Sequence, residues 1–225
     1  MTPLQHLLIV ERVRQRLGWD VVHRGAMALG AIAPDAHRIV DRIDHRDLHF
    51  RSRKAQSRRL IDFLRAYLRP AANGEGDIHF WSGWLCHIIG DDVWRHSLQR
   101  DLPLLWEGVV RGPARYSDQL RNHYLRECNQ LDLELFSMYG NAVDELREDL
   151  FGVDVQAPVE LLSQDDLHAW RLTVVQSMLP PLAAFEGTLD YLSIDFVEQC
   201  MFQAEEESFR ILQWETEDLD FPPIF

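Results

Sequence analysis

The chain reads as all-α, one domain folded as a multi-helix bundle, and three observations predict this. Apolar residues recur at helical intervals in nearly every segment. Strict apolar-polar alternation, the mark of a half-buried strand, is nearly absent. Proline, glycine and aspartate punctuate the apolar segments where helices begin and end. Pro3 to Leu17 starts with a proline, whose missing N–H does no harm in a first turn, and stops at Gly18. Asp20 can cap a second helix, Val21 to Leu29, which Gly30 and Pro34 end. Arg51 to Leu68 is amphipathic and closed by Pro70, and Asn73-Gly74-Glu75-Gly76 is a loop. His79 to Trp94 is apolar at helical spacing. Tyr116 to about Leu150 is a long helix with a break expected near Gly140. Leu161 to Leu179 ends at Pro180-Pro181. Leu189 to Trp214 is the last helix, with an exposed acidic run at Glu205, Glu206 and Glu207 and an extended tail, Phe221-Pro222-Pro223-Ile224-Phe225.

At 225 residues with 46% hydrophobic content, the chain fits one domain with an ample core. The start, Met1-Thr2-Pro3-Leu4-Gln5-His6, lacks the basic opening and apolar run of a secretory signal, and no stretch approaches the roughly 18 apolar residues of a membrane span. A cytoplasmic location and no transmembrane segment are expected. Cys86, Cys128 and Cys200 are odd in number and widely spaced, which fits buried filler better than disulfides or a thiolate zinc site.

The net charge of -13 hides an asymmetry. Residues 1–72 carry 14 Lys+Arg against 7 Asp+Glu, a balance of +7, so the rest stands at -20. Arg51, Arg53, Lys54, Arg58, Arg59, Arg65 and Arg69 supply much of the cation, either as a solvated helix face or as an anion-attracting rim. Such a distribution excludes duplex nucleic acid as a partner, because most of the surface would repel a polyanion.

Two residue pairs carry the chemistry: Asp35 with His49, and His87 with Asp91. His79, Gly83, His87 and Asp91 share an i, i+4 stripe, so imidazole and carboxylate point to one face of a rigid helix, a donor set suited to zinc. Gly83 leaves room beside the stripe for a substrate or for close helix packing. Pro34 disfavours helical geometry at Ala33 and presents Asp35 on a turn beyond a buried helix end. The competing structural reading is a buried helix on which Asp91 or Asp92 merely orients a histidine. Phe80, Trp81, Trp84 and Trp94 are expected in the core.

The stretches Leu29-Gly30-Ala31-Ile32-Ala33-Pro34-Asp35, Leu48-His49-Phe50 and Gly83 to Trp94 resemble the zinc-dependent phospholipase C family, in particular its small bacterial members. Fungal zinc-dependent single-strand nucleases share that fold, so the resemblance implies a helical bundle of the phospholipase C/nuclease type. It also implies that Asp35, His49, His87 and Asp91 build one zinc centre, with His6 near a second. A further site would take His123 and Glu127, which have the family's H-x-x-x-E spacing, with His96 as third member; Asp132 is a rival for any extra ligand role. The chain departs from the secreted enzymes in lacking their N-terminal tryptophan, and a solvated His123–Glu127 helix pair is the plainer reading of that motif.

The function so implied is zinc-dependent hydrolysis of a small phosphoester by metal-activated water, with one to three divalent ions and Asp35 as the catalytic carboxylate. An arginine between positions 38 and 59 would neutralise phosphate charge. The alternative is a non-catalytic helical protein with a structural metal site and an acidic interaction surface.

Overall fold

The computed structural model describes residues 1–40, 45–50, 60, 62–74, 76–111, 114–154, 161–179 and 189–216. Among these every regular element is helical. Helix α1, Pro3–Arg16, opens with a capping box: the Thr2 hydroxyl accepts from the Gln5 amide while the Gln5 side chain accepts from the Thr2 amide. Leu7, Ile9 and Val13 are fully buried, and so are Gln5 and His6, so α1 runs through the core instead of lying on it. Asp20 caps a short 3-10 turn, Val21–His23, and α2 follows at Arg24–Ile32.

Gly30 does not end α2, contrary to the sequence expectation, because its lack of a side chain serves packing. A Cβ on Gly30 would stand 1.8 Å from the Phe80 carbonyl, and one on Gly83 would stand 1.9 Å from the Met27 carbonyl. The two glycines therefore let α2 lie backbone to backbone against α5, Ile78–Asp101, the longest fully helical element of the core. Close helix packing is thus the use made of Gly83. Asp77 caps α5, and the run from Phe80 to Gly90 is buried at every position, as expected of a helix segment with neighbours on every side. Trp81, Trp84 and Trp94 are buried with Phe80, and Trp84 donates its indole N–H to the Leu48 carbonyl at 3.0 Å.

Between α2 and α5, Ala33–Arg38 forms a 3-10 turn and His45–Leu48 a single turn, α3. Residues 51–59, with most of the expected arginine rim, lie outside the described residues. Pro70 does not close the following helix: a π turn at Leu64–Leu68 leads into α4, Arg69–Ala72, where Pro70 sits in a first turn that needs no N–H from it. A helix not anticipated from sequence, α6 at Pro103–Arg111, then leads to α7, Ala114–Gly152, which breaks at Tyr139 as expected near Gly140. Ser163 caps α8, Gln164–Thr173, and a π turn at Val174–Met178 carries the chain to Leu179. The last helix, α9, starts at Ile194 and ends at Thr216; residues 189–193 are not helical, and the expected tail falls outside the described residues. Cys86, Cys128 and Cys200 are free and buried. No helix among the described residues is long and apolar enough to cross a membrane.

Candidate metal centre

The α2–α5 crossing sets the site. It brings the Ala31 carbonyl within 2.7 Å of His87 Nδ1. A carbonyl only accepts, so Nδ1 carries the hydrogen and the lone pair of neutral His87 is on Nε2. That atom lies 3.0 Å from His49 Nε2. His49 is held there by the Trp84 bond to its neighbour Leu48. One turn beyond His87, Asp91 Oδ2 is 3.9 Å from His87 Nε2 and 3.4 Å from His49 Nε2. From the 3-10 turn, Asp35 Oδ1 lies 3.8 Å from His49 Nε2, while its Oδ2 accepts from Arg38 at 2.8 Å.

The fifth side chain comes from α1. His6 stacks on His87 with centroids 3.8 Å apart, and its Nε2 approaches Asp91 Oδ1 to 3.5 Å. The absence of a side chain on Gly90 leaves that ring its space, since a Cβ there would be 3.3 Å from His6 Nδ1. Both His6 nitrogens are buried without a hydrogen-bond partner. The Met1 amino group completes the cluster with a 3.0 Å bond to Asp91 Oδ1.

Two overlapping groups result, His6–His87–Asp91 and Asp35–His49–His87, each with donor atoms within 4.8 Å of one another. Donors about 2.0–2.1 Å from a tetrahedral zinc ion stand about 3.4 Å apart, the range in which these pairs fall. Burial lowers the pKa of His6 and, further, of His87, so both imidazoles are neutral at neutral pH. Burial would raise the Asp91 carboxyl, but the Met1 ammonium and the nearby imidazoles of His49 and His6 outweigh it and hold Asp91 well below the usual range. Neutral imidazoles beside ionised carboxylates are the state a cation requires. An imidazole buried without a partner fits the same group, because a metal would supply what no protein atom does. On both counts the residues fit a divalent ion.

The other sequence candidates separate from this cluster. His123 Nε2 lies 2.8 Å from Glu127 Oε1 and 3.2 Å from Asp190 Oδ2, a third group of possible donors. The expected solvated pair is corrected here: Glu127 is fully buried, since its oxygens accept from the backbone amides of Asp190, Tyr191 and Leu192, at 2.7 Å and 2.8 Å for the first and last. Asp190 had no sequence signal, because it approaches from 63 residues away. His96 is exposed on α5 beside Glu207 and does not join His123. Asp132 accepts from Thr2 Oγ1 at 2.8 Å and Gln5 Nε2 at 3.2 Å, so it anchors the start of α1; burial pushes its carboxyl up to about 7. His79 stacks on His23, 3.7 Å between centroids, on the far side of Gly83 from His87. Arg38, three residues after Asp35, is the arginine of the expected 38–59 stretch whose contact with the cluster is described.

A family model described as zinc dependent phospholipase C matches residues 5–158. No curated protein and no solved structure matches the chain.

Proposed function

The chain belongs to the zinc-dependent phospholipase C family, and from that premise we propose that it hydrolyses a small phosphoester at the cluster built by His6, Asp35, His49, His87 and Asp91. The observation that carries the reading is the convergence of His49 Nε2 and His87 Nε2, 3.0 Å apart, beside a buried His6 that has no hydrogen-bond partner. Asp35, His49, His87 and Asp91 would hold one zinc ion, and His6 with Asp91 would serve a second. Zinc, when bound, supplies Lewis acidity: it makes hydroxide available near neutral pH and stabilises negative charge on phosphoryl oxygens.

The chain's own groups do the rest. The Ala31 carbonyl keeps His87 in one tautomer and one orientation. Arg38 fixes Asp35 through Oδ2, which leaves Oδ1 directed at the cluster to orient the attacking water and take its proton. The Arg38 side chain is 41% exposed, so its guanidinium is open to solvent, where it can meet phosphate charge.

Elemental analysis of the purified protein, followed by turnover of an aryl phosphodiester, tests this. We expect at least one zinc per chain, a loss of kcat of at least about 100-fold in Asp35→Asn, and loss of both zinc and turnover in His87→Ala. A tightly held ion with no turnover in any metal-loaded form would replace the hydrolase with the structural-metal alternative.

A further inference from the structure

Between α5, α6 and α7 lies a cavity of about 200 Å³ that the metal chemistry does not use. Its walls are Trp94 and Leu98 of α5 and Leu105, Trp106 and Val109 of α6. Asp91 lines one end, so the cavity begins where the donor cluster stops. Tyr124 of α7 closes another side, and its hydroxyl accepts the Trp94 indole N–H at 2.8 Å. That bond occupies the only donor of the indole and leaves its ring as apolar wall. The charged members of the lining are Arg95, the Asp91 carboxylate and the Met1 ammonium bonded to it at 3.0 Å. Arg95 Nη2 donates to Asp92 at 2.8 Å, whereas its Nε is buried with no hydrogen-bond partner.

Each observation points to a ligand of the same kind. Apolar walls favour an apolar group. A guanidinium and an ammonium in the same lining favour an anionic or ester oxygen carried by such a group. Clefts that take drug-sized ligands hold roughly 300–1,000 Å³, so this one has room for a phenyl ring or a short alkyl chain and not for a pair of long acyl chains. Continuity with Asp91 sets what the group is attached to. We propose that the cavity is a specificity pocket for one compact apolar substituent of the phosphoester, with the Arg95 guanidinium in its lining meeting an ester or phosphoryl oxygen. The inference rests on the hydrolase reading for the phosphoester, but the pocket itself has a readout that needs no metal.

The test is calorimetric titration of the full chain with methylphosphonate, hexylphosphonate and n-hexanol. In the zinc-loaded protein hexylphosphonate should bind at least about tenfold more tightly than methylphosphonate, and n-hexanol should bind with or without zinc. Val109→Trp, which fills the cavity, should bring the hexyl-to-methyl ratio below about twofold and abolish n-hexanol binding, with zinc content as in the wild type. Trp106→Ala removes a wall instead of filling the space and should lower the ratio roughly threefold. Arg95→Met should weaken both phosphonates about tenfold and leave n-hexanol binding in place. A ratio near one in zinc-loaded protein that binds methylphosphonate overturns the pocket, and so does tighter binding of a two-chain didecanoyl glycerophosphate than of hexylphosphonate. Failure to bind zinc while n-hexanol still binds and Val109→Trp still abolishes it would overturn the hydrolase reading and support the pocket.

Discussion

Among the described residues two clusters bring imidazole and carboxylate together, and they surround those groups differently. Around His87 the supporting hydrogen bond comes from behind: the Ala31 carbonyl takes the Nδ1 hydrogen and so directs the remaining lone pair towards His49, while Asp91 Oδ1 accepts from the Met1 ammonium. Around His123 and Glu127 the hydrogen bonds come from in front, because three successive amides of residues 190–192 donate to the carboxylate that would have to face a cation. The comparison teaches that proximity of donors does not make a metal site; what matters is whether lone pairs are left over after the backbone has been satisfied. The first cluster is the one on which the proposed function rests, and in the second the Glu127 carboxylate also joins α7 to the residues just before α9.

The largest effect should come from Gly83→Ala, which attacks only the first cluster. The new Cβ would meet the Met27 carbonyl at 1.9 Å, so α2 and α5 must separate and the Ala31 carbonyl must leave His87. Urea unfolding should show a loss of about 3 kcal/mol or more, and a zinc titration should show at least tenfold weaker binding, roughly the effect of losing a supporting partner. Zinc affinity as in the wild type would mean that the crossing does not organise the cluster. Glu127→Gln attacks the second cluster, where amides bonded to a charged group lose part of their acceptor. It should reduce stability by about 2 kcal/mol with zinc content unchanged; a parallel fall in zinc would make the two clusters alike after all.

Asp132, bonded to the start of α1, titrates with a sign opposite to that of the histidines. A carboxyl raised to about 7 in the folded state binds its proton more tightly than in the unfolded chain, so stability falls as pH rises from about 4 to about 7. Asp132→Asn should therefore stabilise the protein by about 2 kcal/mol at pH 8 and little at pH 4, as read from urea midpoints. With that contribution removed, the metal-free Asp132→Asn protein exposes the smallest effect. His6 and His87 have lowered folded values, so their contribution is present above about 6.5 and is lost as pH falls below it. The urea midpoint should drop between pH 7.5 and 5.5 by the equivalent of about 1 kcal/mol, and a flat profile would place these rings in solvent.

Much of this was legible in the chain itself. The all-helical class, the start of α1 at Pro3, the break near Gly140 and the facing of His87 and Asp91 all follow from short-range rules of spacing and capping. Gly30 and Pro70 misled because their local meaning is to stop a helix, whereas here one serves an interhelical contact and the other sits in a first turn after a π turn. Glu127 misled for a related reason: an i, i+4 pair reads as solvated until a distant loop covers it.

Sequence alone determined the donors of the His87 cluster and that His6, His87 and Asp91 would be carried on helices, because residue type and a period near 3.6 are local properties. Only the tertiary structure decided that α1, the turn after α2, the segment before residue 50 and α5 meet at one point, and which carboxylates the backbone would occupy. The physical reason is that a lone pair's availability depends on every group packed around it, and those groups arrive from tens of residues away.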